Sequence, residues 1–291
     1  MIEIRRLHPL YGAEIVGVDT GEPINDDTFA AIRDAFEEYS VLLFRGQTLD
    51  DARQIAFSER FGPLENTVSA NSGGGGAFAR QSNIDVETGE VIPSDDKRML
   101  YQKANMLWHS DSSFKHVPAL CSLLSARVVP AEGGATEFAA MRAAYDDLPE
   151  ATKRRLEGLV AEHSLVYSRS LVDPDVTVMT DAQKAEVPPA RQVMVRTNPV
   201  NGRKALYVGS HAFAIRGWPD EAARAFIAEL TAHATQLKYV LRHEWREGDM
   251  IVWDNRAVLH RATPFDNVKY RRLMQRTTVA GDAPTVPAAA A

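Results

Sequence analysis

From residue 121 onward, short apolar runs typical of β-strands recur at close intervals, and this pattern restricts the fold more than any other feature. The runs are CSLLSARVV, EHSLVY, QVMVRT, KALYVG, YVLRHEW, DMIVW and RLMQRTTVAG. Turns rich in Gly, Asn or Pro separate many of them, and two helical inserts interrupt, FAAMRAAYDDLP with ATKRRLEGLV and PDEAARAFIAELTAHA. Many short strands with few helices predict a β-sandwich or jelly roll and not a doubly wound sheet.

The opening third of the chain mixes strands with helices. The segments IEIRRL, AEIVGVD and SVLLFRGQ indicate strands. The segment NDDTFAAIRDAFEEY predicts a helix with Asn25 as its cap, and the helical spacing places Phe29, Ile32 and Phe36 on one face. LDDARQIAFSERFG predicts a second helix. These elements precede the strand-rich region without a linker between them.

Residues 66–100 differ from the rest of the chain. The glycine run from Gly73 to Gly76 and the polar stretch ETGEVIPSDDKR offer few apolar anchors. We therefore expect a mobile loop that serves as an active-site lid, with strand structure resuming at 106–108. No repeat or nucleotide-binding glycine motif divides the sequence, so we predict one domain over 1–282 and a frayed tail over 283–291.

Composition excludes several classes of protein. Hydrophobic residues make up 45% of the 291 residues, enough for a sizeable core. The 33 Lys and Arg against 39 Asp and Glu give a net charge of -6, without the basic excess that nucleic-acid binding needs. No stretch approaches the roughly 18 apolar residues of a membrane span. The single cysteine, Cys121, lies in an apolar run, which indicates a buried thiol and a reducing, cytoplasmic compartment.

The sequence contains a single His-x-Asp tripeptide, His109-Ser110-Asp111. In an extended segment residues i and i+2 point the same way, so the imidazole and the carboxylate converge as two ligands of a metal ion. Two ligands hold a divalent metal poorly, and a third is expected from elsewhere in the chain. Two histidines and one carboxylate on one octahedral face leave three positions open, which is typical of Fe(II) oxygen chemistry.

His260 is our choice for the third ligand. It follows a strand-like run at 250–253, a turn signal and a second apolar run, which places it at the rim of a small barrel. The other histidines have weaker contexts. We expect structural, solvated or surface positions for four of them, and two stay open as pocket residues without a placed partner; the four are His8, His163, His233 and His243, and the two are His116 and His211.

A basic strand, YRRLMQRTTVAG, follows His260. If it is extended, Arg272, Met274 and Arg276 share one face. An exposed charged edge is one interpretation, but the apolar residues interspersed with the arginines indicate that the strand is partly buried. A guanidinium in such a place suits two-pronged binding of a carboxylate. The strand therefore predicts an acidic organic substrate or cosubstrate.

Together these motifs resemble a known family. LHPLYG, SVLLFRGQ, FGPLE, NMLWHSDSSF, GGATEF with MRAAYDDLP, VGSHA, WDNRAVLHR and RRLMQRTT resemble, in this order, the Fe(II)/2-oxoglutarate-dependent dioxygenases of the taurine and 2,4-dichlorophenoxyacetate dioxygenase family. The similarity extends from about residue 7 to residue 282 and is closer to the aryloxyalkanoate branch. It implies a mainly β fold with α-helices, in which a double-stranded β-helix, or jelly roll, forms the core and carries helical inserts.

The resemblance also implies three sets of site residues. They are the iron ligands His109, Asp111 and His260, the 2-oxoglutarate contacts Thr136 and Arg272, and the substrate contacts Arg276 and Asn105. The segment between His260 and the arginine pair is one residue longer than the usual spacing. Arg271 therefore competes with Arg272 for the cosubstrate, and we favour Arg272 because it keeps RRxxxR in register.

The activity implied by the resemblance needs Fe(II), 2-oxoglutarate and O2. An aryloxyalkanoate hydroxylated beside its ether oxygen gives a hemiacetal, which breaks down to a phenol and an oxoacid. The alternatives are the same mechanism on a sulfonate, alkyl sulfate, amino acid or other carboxylic acid, and a metal-binding jelly roll without oxygen chemistry. We expect a homo-oligomer that binds a small anionic organic substrate. We expect it to bind neither nucleic acid nor a membrane.

Overall fold

Strands recur along the whole chain in the computed structural model, which describes residues 2–71, 75–85 and 88–286. The strands are β1 (Glu3–Arg6), β2 (Ala13–Val16), β3 (Val41–Phe44), β4 (Phe78–Ser82), β5 (Cys121–Val128), β6 (Thr136–Ala140), β7 (Val160–His163), β8 (Ala190–Val193), β9 (Val195–Thr197), β10 (Lys204–Leu206), β11 (Ala212–Ile215), β12 (Val240–His243), β13 (Met250–Asp254), β14 (Val258–Ala262) and β15 (Leu273–Val279). The α-helices are α1 (Asp26–Tyr39), α2 (Asp51–Glu59), α3 (Lys97–Lys103), α4 (Met141–Asp146), α5 (Glu150–Leu156), α6 (Leu165–Ser170), α7 (Asp181–Glu186) and α8 (Asp220–Ala234).

The largest sheet has seven strands in the order β1-β2-β3-β13-β5-β15-β4. Its neighbouring strands are antiparallel except β2 and β3, which are parallel. Two three-stranded sheets, β12-β6-β14 and β11-β7-β8, accompany it, together with the β9 and β10 pair. Strands from the two ends of the chain are therefore interleaved in one sheet. These mixed sheets with helices agree with the predicted mainly β architecture.

Strand β13 explains why some strands are apolar along their whole length. Ile251 and Trp253 point into a core shared with the β12-β6-β14 sheet, where the Trp253 ring lies 5.7 Å from that of Phe138. Met250 and Val252 point to the opposite face and join a second core. Because successive side chains of a strand alternate between faces, a sheet covered on both sides needs a continuous apolar run.

Helix α1 covers that second face of the large sheet. Its cap is Asn25, whose side chain accepts a hydrogen bond from the Thr28 backbone N–H at 2.8 Å. Phe29, Ile32 and Phe36 are buried in the second core, as the helical spacing predicts. The predicted cap and the predicted apolar face of this helix are both confirmed.

The expectation of an irregular loop over 66–100 is wrong for part of that segment. Phe78–Ser82 forms β4, which pairs with β15 at one edge of the large sheet, and α3 begins at Lys97. The strand has few apolar residues because its backbone pairing, and not an apolar face, holds it in place. Two glycines of the predicted lid, Gly73 and Gly74, lie outside the described residues.

Two short strand predictions are also wrong. Ala104–Met106 is a 3₁₀ helix, and the chain stays irregular through Trp108 until His109 forms an isolated β-bridge with His260. The strand predicted over EHSLVY ends at His163, after which SLVY begins α6. A short apolar run fits either a strand or a helix, and the Ser164 cap decides here in favour of the helix.

The predicted frayed tail is wrong for residues 283–286. The Thr285 hydroxyl donates to Gln192 at 2.6 Å, and Val286 is buried. Residues 287–291 lie outside the described part of the chain. Among the helices in that described part, none is long and apolar enough to cross a membrane.

Candidate active site

Three buried side chains, those of His109, Asp111 and His260, converge on one point. Each offers one potential ligand atom, and these three atoms lie within 4.8 Å of one another. The backbones of the two histidines pair directly, with His109 N–H donating to His260 O at 3.1 Å and His260 N–H donating to His109 O at 2.8 Å. Nε2 of His109 and Nε2 of His260 lie 3.8 and 3.7 Å from the Asp111 carboxylate. Backbone pairing thus fixes the separation of the two imidazoles.

Both imidazoles are in the neutral protonation state that can bind a metal. Burial lowers the pKa of His109 and of His260, so each is neutral at pH 7. Nδ1 of His109 lies 2.7 Å from the Leu107 carbonyl oxygen, which can only accept, so Nδ1 carries the proton. The lone pair is then on Nε2, the nitrogen that faces Asp111.

The Asp111 carboxylate is an anion despite its burial. Burial alone raises its pKa, but the opposing effects of Arg276, His260, His109 and Ser122 are larger and hold the pKa well below its usual range. Arg276 Nη1 donates to one carboxylate oxygen at 2.5 Å, and the Ser122 hydroxyl donates to the other at 2.7 Å. Two neutral imidazoles and one carboxylate therefore meet here.

Asn255 orients this carboxylate, and sequence reasoning took it only as a turn signal. Its side-chain oxygen accepts from the Asp111 backbone N–H at 3.2 Å and from Trp253 Nε1 at 3.0 Å. Its amide nitrogen donates to the Ser122 hydroxyl at 3.0 Å. The available signal is the Asp254-Asn255 pair directly after the apolar run Met250 to Trp253, where buried polar groups need partners.

A cavity beside the histidines, here called the inner chamber, is lined by Leu124, Thr136, Trp253, Ala262 and Arg272 together with His109 and His260. The Thr136 hydroxyl oxygen accepts from Trp245 Nε1 at 3.0 Å, which leaves its own proton free to donate. Arg272 is buried, whereas Arg271 is exposed. The structure thus places Arg272, and not Arg271, beside Thr136.

No carboxylate of the described residues pairs with Arg272. Its Nε has no hydrogen-bond partner among those residues, and Nη1 donates to the Gln81 carbonyl at 3.2 Å. Burial lowers the pKa of its guanidinium to about 10. A buried cation without a counter-charge is unfavourable, and a bidentate carboxylate would satisfy both its charge and its unpaired N–H. The inner chamber therefore fits the far carboxylate of a dicarboxylic acid.

A second cavity, here called the outer chamber, adjoins the inner one and shares His109 and Arg276 with it. Val68, Tyr101, Phe114 and Leu165 supply an apolar wall, and these four residues belong to one small core. Polar lining comes from residues that include Gln81, Asn105, His109, Asp111, Arg169, His211 and Arg276. Asn105 donates to Gln81 at 2.6 Å, and both residues line both chambers. The outer chamber thus combines an apolar wall with cationic side chains.

Of the two histidines left open by the sequence, His211 lines the outer chamber. Gly209, at φ 125°, lets its segment lie against the chain before His109, since an added Cβ would come 3.0 Å from the Trp108 carbonyl oxygen. His116 lines a separate cleft. His243 is buried and bonded to Asp249 at 3.0 Å, which agrees with its predicted structural position.

The donor set fits Fe(II). Two imidazole nitrogens and one carboxylate oxygen, all buried and within 4.8 Å of one another, are the ligands of the facial triad, which leaves coordination positions open. In the part of the chain that the structure describes, no other group of His, Cys, Asp and Glu residues meets this criterion. The cluster, the inner chamber and the outer chamber make up the candidate active site.

Known proteins resemble this chain over nearly its full length. The model of the taurine catabolism dioxygenase TauD, TfdA family matches residues 3–278. The chain is 43% identical to the alpha-ketoglutarate-dependent 2,4-dichlorophenoxyacetate dioxygenase of Cupriavidus pinatubonensis, covering 95% of this chain and 97% of that protein. It is 37% identical to the (S)-phenoxypropionate/alpha-ketoglutarate-dioxygenase of Sphingobium herbicidovorans, covering 96% of this chain and 95% of that protein.

A solved structure extends the likeness to the fold. The crystal structure of AAD-2 in complex with Mn(II) and N-oxalylglycine has a TM-score of 0.90 and 40% identity, and the match covers 99% of each chain. The family resemblance predicted from the sequence is confirmed over nearly the full length. The chain belongs to the taurine catabolism dioxygenase TauD, TfdA family.

Proposed function

We propose that this protein is an Fe(II)- and 2-oxoglutarate-dependent dioxygenase that hydroxylates an anionic aryloxyalkanoate. The observation that carries the proposal is the buried cluster of His109, Asp111 and His260. In the adjoining chamber, Nε of the buried Arg272 has no hydrogen-bond partner among the described residues. When bound, the iron and 2-oxoglutarate supply oxidation of a substrate C–H bond by O2, with succinate and CO2 as the other products. His109, Asp111 and His260 would hold the iron.

The inner chamber would hold the cosubstrate. Arg272 would make a two-pronged contact with its far carboxylate, and Thr136 would donate its free hydroxyl proton to the same group. Trp245 keeps the Thr136 hydroxyl oriented through the bond from Nε1. These residues supply binding and orientation, while Leu124 and Trp253 exclude water from the chamber.

The outer chamber would hold the substrate. Its apolar wall suits an aromatic ring, and Arg276 and Asn105 lie beside the metal cluster to contact an acidic group. The reactive carbon of an aryloxyalkanoate lies between its ring and its carboxylate, so binding both ends presents that carbon to the iron. Hydroxylation there, on a carbon bearing an ether oxygen, gives a hemiacetal that breaks down unaided to a phenol and an oxoacid.

The same proposal covers the architecture around the site. The strands β5, β13 and β15 belong to the large sheet, whereas β6, β12 and β14 belong to a small one. This alternation of strands between two facing sheets supports a double-stranded β-helix, or jelly roll, as the core of a single domain over 1–282.

The segment 66–100 would serve as a lid over the substrate. Three of its residues, Thr67, Val68 and Asn71, line the outer chamber, which supports this function.

A panel of acids would test the proposed function. The protein, with Fe(II), ascorbate and 2-oxoglutarate under air, should form succinate when 2,4-dichlorophenoxyacetate or (S)-2-phenoxypropionate is added, with an equal amount of phenol. The methyl ester of either acid should be a poor substrate, because it lacks the anion that Arg276 would contact. An Asp111→Ala variant should stay folded but form no succinate, because two imidazoles hold the metal weakly.

The remaining outcomes of the panel are equally informative. Turnover of an alkyl sulfate or a sulfonate, without turnover of the aryloxyalkanoates, would retain the mechanism and overturn the substrate class. Equal rates with an acid and its ester would refute recognition of the anion. If no acid gave substrate-dependent succinate, the proposed function would be wrong.

A further inference from the structure

Arg169 is a second arginine of the outer chamber and has no role in the function described above. It lies on α6, is 6% exposed, and lines the chamber together with Arg276 and His211. Its guanidinium carbon lies 4.1 Å from the centre of the Tyr101 ring, another residue of the chamber wall. This aromatic contact restricts the freedom of the guanidinium within the chamber wall.

Among the described residues, no carboxylate pairs with the Arg169 guanidinium. In residues 2–71, 75–85 and 88–286, no carboxylate oxygen lies within 4.0 Å of its nitrogens. Nε has no hydrogen-bond partner, and the bond from Nη1 to the Ser168 hydroxyl is long, at 3.5 Å. A buried cation without a partner is unfavourable, because its lost hydration is not replaced. Such a group is retained when it serves a ligand of opposite charge.

The other cations of the outer chamber are in a different state. Arg276 is paired with Asp111 at 2.5 Å, and Lys115 is paired with Glu65 at 2.7 Å. Each of these pairs is close to neutral as a unit. Neither carboxylate is therefore available to offset the charge of Arg169 in the same way.

We propose that Arg169 is a second anion contact for the substrate and binds its acidic group together with Arg276. This inference rests on the proposed function and adds a specificity-determining residue to it. Arg276 must also hold the Asp111 carboxylate, so it can offer a ligand only part of its donor capacity. Arg169 has no such competing partner. The aliphatic and aromatic part of the substrate then lies against Phe114 and Leu165.

Binding without turnover provides the test. The protein loaded with Mn(II) and 2-oxoglutarate under nitrogen is titrated calorimetrically with 2,4-dichlorophenoxyacetate and with the uncharged 2-(2,4-dichlorophenoxy)ethanol. The variants are Arg169→Gln, Arg169→Lys and a matched control, Arg155→Gln. Arg155 also stacks on aromatic rings, those of Trp218 and Phe226, but it does not line the outer chamber.

We expect Arg169→Gln to weaken binding of the acid about tenfold or more, because a hydrogen bond to a charged group is lost. Binding of the alcohol should change less than threefold. Arg169→Lys should lie between wild type and Arg169→Gln, and it also decides the matter if the glutamine variant fails to fold. Arg155→Gln should bind both ligands as wild type does. The melting temperature of ligand-free Arg169→Gln should not fall, because the variant removes an uncompensated buried charge.

Two results would overturn the inference alone. One is equal binding of the acid by the wild type and the Arg169 variants. The other is an equal loss of acid and alcohol binding with a lower melting temperature, which indicates that Arg169 only packs against Tyr101. Failure of the proposed function would give a different result, because it would be seen in the wild type. If the wild type binds no acid, the proposed substrate class is wrong, and so is this inference.

Discussion

Replacing Ser122 by alanine should weaken metal binding although Ser122 does not itself face the metal. Its hydroxyl donates to the Asp111 carboxylate at 2.7 Å and accepts from the Asn255 amide at 3.0 Å. Alanine removes both bonds. The carboxylate then loses one of the donors that hold its orientation, and the buried Asn255 amide loses an acceptor. The change therefore acts on the metal through the position of Asp111.

The expected loss of metal affinity follows from the hydrogen bond between Ser122 and Asp111 that the substitution removes. A hydrogen bond to a charged group contributes about 1.5–3 kcal/mol. Since each 1.4 kcal/mol corresponds to about a factor of ten in an equilibrium constant, the dissociation constant for the metal should rise about 10- to 100-fold. This agrees with the usual effect of removing a group that orients a metal ligand.

Mn(II) titration followed by electron paramagnetic resonance, without 2-oxoglutarate, measures this constant directly. The matched control is Ser125→Ala, which removes a buried hydroxyl from the same strand, β5. Ser125 donates to Gln54 at 2.7 Å and has no described contact with Asp111. The control should bind Mn(II) as the wild type does. Equal affinities in Ser122→Ala, Ser125→Ala and the wild type would refute the reasoning.

Two further predictions concern Arg272 and His163. Arg272→Lys should weaken 2-oxoglutarate binding to the Mn(II)-loaded protein about tenfold in calorimetry, since an ammonium cannot form the two-pronged contact; Arg271→Lys should have no effect, and the reverse pattern would assign the contact to Arg271. Burial lowers the pKa of His163 from 6.5 to about 3, so the unfolded chain takes up this proton first and the free energy of unfolding falls as the pH drops through that range. Urea denaturation should show a shallower pH slope in His163→Gln, and an unchanged slope would contradict the assignment.

The position of the metal cluster could be predicted because its signals are local. His109 and Asp111 are two residues apart in the sequence, and His260 follows two apolar runs separated by a turn signal. The predicted extended segment, however, is limited to a single bridge at His109. The two side chains of the tripeptide still converge, because that bridge fixes His109 and the hydrogen bond from the Asp111 backbone to Asn255 fixes the turn.

Residues that act through long-range pairing could not be predicted. Ser122 reaches Asp111 because β5 pairs with β13 in a register that places Ser122 opposite Trp253. No local pattern contains that register. Strand β4 was missed for the same reason, since its order depends on the edge of β15. The sequence around Arg169 carries no signal of its burial either, because Arg169 lies against Tyr101, which is distant in the sequence.

The β-bridge between the two histidines also sets an order of assembly. Its two residues lie about 150 positions apart, and contacts of such separation form late in folding because closing a long loop costs entropy. During synthesis, a nascent chain that ends before β14 contains only His109 and Asp111 of the three ligands and retains a divalent ion poorly. A complete set of three ligands therefore needs both parts of the chain, and retention of the metal would report that β14 has joined the segment of His109.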